Sequence, residues 1–267
     1  MPVVTRSCND GCADGLESCI DGSWQACQVP LVQRDCSSVC GAGHETCKKG
    51  AWSKCDAPLP APPKLRGIVR DFSPLTHPDF EASYRSGLDV GIVARSLGDD
   101  DTPVYAGRPS TPTTSGAANF ASWFHDAPLN LSMPLDLQLQ PAQEDGLFSY
   151  DDGTFFPIDD QLLGNEGRAN NFHFTLAAST TFEYRGGEVF SFSGDDDMWV
   201  FINRQLAIDL GGLHSSLSAS VALDEFAGTA GLVRGGQYPL HFFFAERHTI
   251  ESHFTIRTSI ADPGDCP

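Results

Sequence analysis

Three adjacent carboxylates stand in the run Phe192-Ser193-Gly194-Asp195-Asp196-Asp197-Met198-Trp199-Val200-Phe201-Ile202-Asn203, where the chain leaves one apolar stretch and enters another. Left unpaired, such a cluster repels itself. Gathered round a cation it becomes a ligand set, and the hard oxygens of aspartate suit Ca²⁺. Adjacent side chains of an extended chain point to opposite faces, so Asp195 and Asp196 turn toward one ion only with an unusual backbone. A cis peptide between them would supply that turn at about 3–4 kcal/mol, which coordination has to offset. The plainer alternative is a solvated acidic turn.

Around this run stand other side chains with chemistry to offer. Trp199 could stack on a sugar face, or pack in alternation with Val200 and Ile202. His214, His248 and His253 could serve a soft metal, or be ordinary hydrogen-bonded imidazoles. Asp159-Asp160 reads as a turn rather than a second cation site. Catalysis has less to stand on: the chain has no G-x-S-x-G elbow, no H-E-x-x-H helix and no phosphate-cradling glycine loop. No pair of carboxyls is singled out for glycoside hydrolysis, so the expectation is a binding protein, not an enzyme.

The elements that must position these residues read as short strands. Phe182–Tyr184 and Val189–Phe192, joined at Arg185-Gly186-Gly187, are expected to form one hairpin, and Met198–Ile202 and Leu206–Leu210, joined at Asn203-Arg204, another. Phe254, Ile256 and Ile260 share one face of a strand. Leu223–Leu232 is expected to hold a helical turn capped by Asp224. Gly98–Gly116, rich in Asp, Thr, Pro and Ser, reads as a long exposed loop. Many short strands between Gly, Asn and Asp turns predict an all-β sandwich. Asn130-Leu131-Ser132 matches an N-glycosylation acceptor.

Composition divides the chain near residue 65. Eight of nine cysteines lie between Cys8 and Cys55, a density that indicates an oxidising compartment. The N-terminal MPVVTRSC has no apolar signal core, and no apolar run approaches the roughly 18–20 residues of a membrane span. Residues 1–66 carry seven Lys and Arg against seven Asp and Glu, leaving ten against 28, so the net charge of -18 belongs to the larger part. Nucleic acid, which needs a basic surface, is an improbable partner. Bound Ca²⁺ is the usual extracellular neutraliser of so many carboxylates.

Cys8, Cys12, Cys19 and Cys27 recur 28 residues later as Cys36, Cys40, Cys47 and Cys55, and Gly15, Glu17, Gly22 and Trp24 as Gly43, Glu45, Gly50 and Trp52. Units this small cannot bury a core, so disulfides confined within each unit, 8–27 and 36–55, are expected to hold them with one packed Trp apiece. A tetrahedral zinc site is the rival. Residues 56–66, opening with DAPLPAPP, read as a polyproline spacer before a sandwich over 67–262 and a tail over 263–267. Cys266 in that tail is unpaired by count and is expected to bond another chain or to belong to a further repeat.

The downstream motifs, taken in order, resemble the fibro-slime domain of bacterial secreted proteins, a branch of the lectin-like sandwich first described in anthrax protective antigen. They are Phe155-Phe156-Pro157-Ile158-Asp159, Asn171-Phe172-His173-Phe174-Thr175, the acidic run above, Asp209-Leu210-Gly211-Gly212-Leu213-His214 and Phe243-Phe244-Ala245-Glu246-Arg247-His248. In sugar-binding relatives two consecutive aspartates joined by a cis peptide hold a Ca²⁺ that in turn binds sugar hydroxyls. The resemblance places Asp195 and Asp196 in that role and puts the rest of the shell in the loop from Glu246 to His253. That loop lacks the ligating Asn of those relatives, leaving Glu246 or Glu251 as its oxygen ligands. Asp197, Trp199, His214, Arg247 and His248 are the expected ligand contacts. The implied function is calcium-dependent binding of carbohydrate or a cell-surface or matrix polymer outside the cell. The alternative is a structural subunit of an extracellular fibre or slime sheath, self-associating through repeats and sandwich.

Overall fold

The computed structural model describes residues 3–262 apart from 39, 144, 145 and 250. The chain divides into two compact units, the first ending at Ala61 and the second beginning at Pro62.

In the first unit Val4–Asn9 (β1), Asp14–Ile20 (β2) and Ser23–Trp24 (β3) form one antiparallel sheet. Val32–Ser38 (β4), Gly41–Lys48 (β5) and Ala51–Trp52 (β6) repeat it with the register carried over, Val4 opposite Cys19 becoming Val32 opposite Cys47. Cys8–Cys27 and Cys36–Cys55 each close one of the two repeats, in one of the three connectivities that the spacing leaves open. Cys12–Cys47 instead joins them, and Cys19 is free, which overturns pairing confined within each unit. The reason is strand length. Cys12 precedes β2 and Cys19 sits near its far end, a span of roughly 20 Å at about 3.3 Å per residue, whereas a disulfide needs Cα atoms within about 7 Å. Cys40 is disulfide-bonded, and Cys266 lies outside the described residues. Trp24 and Trp52 are not buried in a core but remain 41% and 40% exposed. The guanidinium groups of Arg6 and Arg34 cover them at 4.1 and 4.4 Å.

The expected spacer is partly folded. Asp56 N donates to His44 O at 3.1 Å and Ala57 is buried, in space that Gly43 leaves because a Cβ there would stand 2.2 Å from Ala57 N. Lys64–Phe72 (β7) is already strand.

The second unit is two antiparallel sheets face to face, as the sequence predicts. Its remaining elements are Gly87–Leu88 (β8), Ala117–Phe120 (α1), Asn130–Gln138 (β9), Gln140–Pro141 (β10), Phe148–Asp152 (β11), Phe174–Glu183 (β12) and Val189–Gly194 (β13). They continue with Asp197–Ile202 (β14), Gln205–Leu210 (β15), Gly212–Leu213 (β16), Leu217–Ala222 (β17), Leu223–Ala230 (α2), Gln237–Glu246 (β18) and Phe254–Thr258 (β19). One sheet runs β15-β14-β18-β12-β7-β9 and the other β10-β11-β19-β13-β17. Met198, Val200, Ile202, Phe242 and Phe244 meet Phe190, Phe192, Phe254 and Ile256 between the sheets. Trp199, Phe201 and Phe243 point to the opposite face of the larger sheet, where Phe80, Ile92, Phe120, Trp123 and Phe124 cover them. Both faces of β14 are therefore dry, which is why its sequence is an unbroken apolar run instead of an alternation. Part of that cover is the stretch expected as an exposed loop, in which Thr113 and Thr114 are buried.

Two more local expectations change. β12 and β13 belong to different sheets, so Arg185–Gly187 is a crossover, its amides capped by Glu188 at 2.6 and 2.8 Å and by Asp224 at 2.8 Å. Asp224 thus lies in the first turn of α2 and caps this crossover, while Ala222 occupies the helix N-cap. The hairpin β14–β15 forms as predicted, with Asn203 and Arg204 at positive φ. The Asn130 amide is consumed internally, donating to Ser122 O and His125 O at 2.9 Å each, and the residue is 8% exposed.

Asp71, near the end of β7, offers a pH test away from the acidic run. One oxygen accepts from Leu163 N at 2.8 Å, and the other is buried without a hydrogen-bond partner among the described residues. Burial first of all, with the Glu166 charge adding, pushes its carboxyl from 3.8 up to about 6 against hydrogen bonds that lower it. The folded state then holds a proton that the unfolded chain has released, so stability falls as pH rises from about 4 to 6 and levels off above. The span amounts to at most about 3 kcal/mol at about 1.4 kcal/mol per pH unit. Urea midpoints across this window are expected to fall less steeply in Asp71→Asn, Asp197 titrating in the same range, and an undiminished slope there assigns the decline to another group.

Candidate cation and ligand site

The acidic residues meet where the chain passes three times from the larger sheet to the smaller or back. Asp195 and Asp196 are the whole connection between β13 and β14. Residues 211–216 lead from β15 to β17, and 247–253 from β18 to β19. The first and third lie side by side because Gly194 pairs with Phe254 in one sheet and Asp197 with Ala245 in the other. Gly194 permits that approach, since a Cβ there would stand 2.6 Å from His253 O.

The expected cis peptide is absent: among the described residues the cis bond is Arg108–Pro109. Asp196 adopts φ 51° instead, a left-handed conformation that aspartate tolerates better than most residues, and this turns neighbouring carboxylates to one side. Asp195 accepts from His253 N at 2.9 Å. Asp196 accepts from His214 N at 3.2 Å, Arg247 N at 3.0 Å and His248 N at 3.2 Å, tying all three crossovers together.

Glu246 closes the group from the end of β18. It is 1% exposed, and among the described residues neither of its carboxylate oxygens has a hydrogen-bond partner. Burial and then the Asp196 charge raise its pKa well above the ordinary range, and burial raises that of Asp196 despite Arg247. Unpaired carboxylates are rarely left buried. A site made of Asp195, Asp196, Glu246 and Glu251 offers hard oxygens only, and the orphaned Glu246 oxygens are what a divalent ion such as Ca²⁺ would satisfy. Asp195, Glu251 and His253 also bring ligand atoms within 4.8 Å of one another. His214 and His248 stand apart from that group: their ring nitrogens lie 3.1 Å from Leu210 O and Ser215 O, and 2.9 Å from Ala82 O, respectively.

These residues line an open cleft of about 260 Å³, with Asp195, Asp196, Glu246 and Glu251 joined by Ser86, Leu213, His214, Ser215, His248 and Thr249. Three of the expected ligand contacts lie elsewhere. Asp197, Trp199 and Arg247 are 0% exposed. Trp199 packs in the outer core and donates to Asp209 at 2.9 Å. Arg247 Nε donates to Asp197 at 2.6 Å, its Nη1 to Thr113 O at 2.6 Å, and its guanidinium lies 4.8 Å from the Trp123 ring centre. They lie beneath the site, and none of the three lines the cleft. Glu81, which belongs to none of the sequence motifs, braces the rim: it accepts from Thr249 Oγ1 at 2.9 Å and contacts His173 Nε2 at 2.8 Å. Its own N donates to Arg247 O at 2.8 Å. No local pattern marks a brace 168 positions away in the chain.

Residues 156–266 match the PA14 domain. The PA14 match takes in all three crossovers and leaves β7 and the cover of the outer core outside it. Protein psiR of Dictyostelium discoideum is 43% identical over 213 residues, covering 74% of this chain and 21% of psiR. Protein psiD of the same organism is 39% identical over 212 residues, covering 73% of this chain and 41% of psiD. The chain thus spans about a fifth of psiR and two fifths of psiD. Among solved structures, the PA14 sugar-binding domain from an RTX adhesin covers 76% of this chain and all of its own, at 10% identity and a TM-score of 0.36.

Proposed function

We propose that the second unit binds carbohydrate, or another hydroxyl-rich surface ligand, outside the cell, through a Ca²⁺ held by Asp195, Asp196, Glu246 and Glu251. The observation that carries this reading is Glu246, a buried carboxylate without a partner beside two more, at the base of a cleft open to solvent. Ca²⁺ takes six to eight oxygen ligands, so four carboxylates leave positions for water or sugar hydroxyls. Ser86, Ser215 and Thr249 supply the cleft with hydroxyls that hydrogen-bond a hydroxyl-rich partner. Disulfides in the first unit fit an oxidising compartment, and the motif order resembling fibro-slime domains supports the same assignment.

A glycan array probed with the full chain in calcium, then in chelator, then with calcium restored, tests it. Binding is expected to vanish and return, and Asp195→Asn/Asp196→Asn is expected to lose it throughout. Glycan binding indifferent to chelator, and equal in that variant, would remove the ion from the mechanism.

A further inference from the structure

The bridge between the repeats has a direction. It joins the second cysteine of the first repeat, Cys12, to the third cysteine of the second, Cys47. Moved back by one repeat, Cys47 becomes Cys19, which is free and only partly covered. The surroundings of the two are built alike. Cys19 pairs with Val4 and Trp24, Cys47 with Val32 and Trp52. The turns that follow match as well: Asp21 and Gly22 have φ of 49° and 80°, Lys49 and Gly50 of 52° and 79°.

In the second repeat this turn receives the first. Gly50 N reaches Cys12 Sγ at 3.2 Å, and a Cβ on Gly11 would stand 2.7 Å from Gly50 Cα. In the first repeat a Cβ on Gly22 would meet nothing within 4 Å. Among the described residues the receiving surface of the first repeat is therefore formed and uncovered, and it lacks what Cys12 and Gly11 give to the second. A single thiol would signify little, but the same position one repeat later shows the bonded state and the geometry that produces it.

We propose that Cys19 is the receiving half of another inter-repeat bridge, and that its partner is a further Cys-rich repeat of the same spacing, placed ahead of the first and presenting its own second cysteine. A second copy of this chain does not fit, because Cys12 is already bonded to Cys47 and Cys40 is bonded as well. In forming the bridge the two thiols lose two protons and two electrons. A small-molecule disulfide such as oxidised glutathione takes them up and becomes two thiols. Repeats so linked form a string with one covalent joint between neighbours.

A copy of residues 29–56 fused directly ahead of Met1 keeps the period. In the unextended chain a maleimide is expected to label Cys19. After refolding the extended chain in a glutathione redox buffer, non-reducing peptide mapping is expected to find Cys19 bonded to the second cysteine of the added repeat. Cys12–Cys47 stays in place and Cys19 no longer takes the label. Full labelling of Cys19, or a bond from it to any other cysteine of the added repeat, overturns the proposal. Should the fusion lose Cys12–Cys47 and so fail to fold, a synthetic repeat with its first and fourth cysteines bridged is offered to the native chain. Carried at its second cysteine, a thionitrobenzoate mixed disulfide is expected to react with Cys19 about tenfold faster than the same group at the third, through docking of the repeat. Equal rates overturn the proposal.

Discussion

Glu246→Gln is expected to raise the melting temperature of the chelated protein and to abolish its stabilisation by calcium. Without an ion, the folded chain keeps Glu246 either charged without a partner or protonated against its ordinary pKa, and its neighbours Asp196 and Asp195 sharpen the penalty. Glutamine has the same shape, carries no charge, and can donate to those carboxylates. Relief of a buried unsatisfied group is worth about 1–3 kcal/mol, or several degrees at about 2–4 °C per kcal/mol for a unit of this size. Calcium acts in the opposite direction on the wild type, adding about 2.7 kcal/mol at a hundredfold excess over its dissociation constant. The two melting curves should therefore exchange order between chelator and millimolar calcium. A variant less stable than wild type in chelator, or one stabilised equally by calcium, would mean that Glu246 is not a ligand.

Arg247→Met is expected to be the most damaging substitution in the second unit. Arg247 and Asp197 are both fully buried and their ion pair has no water to fall back on. Burial pushes the Asp197 carboxyl up to about 6 even with Arg247 in place. Removing the cation strands the anion, at about 3–5 kcal/mol, a large share of the 5–15 kcal/mol typical of a folded domain. The loss also frees the Thr113 and Asp79 carbonyls that Arg247 clasps. Adding Asp197→Asn should recover much of the loss in urea denaturation, because it removes the stranded charge. If the double variant is no better than Arg247→Met, the damage comes from packing against Trp123 and not from charge.

The sandwich and the place of Asp195 and Asp196 were legible because both rest on local signals. Strand periodicity with turn residues shows in the composition of each segment, and adjacent carboxylates between apolar runs are conspicuous. What misled was every feature whose meaning depends on a partner far along the chain. Arg185-Gly186-Gly187 has the residues of a hairpin turn, yet it carries the chain between sheets. Trp199 sits beside carboxylates in sequence and away from the cleft in space, because residues 73–129 cover the outer face of its sheet. Identical cysteine spacing implied identical pairing within repeats, but the length of β2 keeps Cys12 from Cys19 and sends it to Cys47. Glu246 was visible as a candidate, while the absence of any partner for its oxygens belongs to the folded state alone.

The connection between Gly194 and Asp197 is two residues long, and that brevity divides the site into parts with different freedom to change. One residue inserted there would shift β14 by a position and exchange the sides of Met198, Val200 and Ile202 with those of Trp199 and Phe201, ruining both cores at once. Residues 214–216, 248, 249, 251 and 252 lie farther from such pairing, and their loops can lengthen or shorten while the strands keep register. A lineage built on this plan can remodel the rim that meets a ligand by insertion and deletion, with the two aspartates held at constant spacing beneath it.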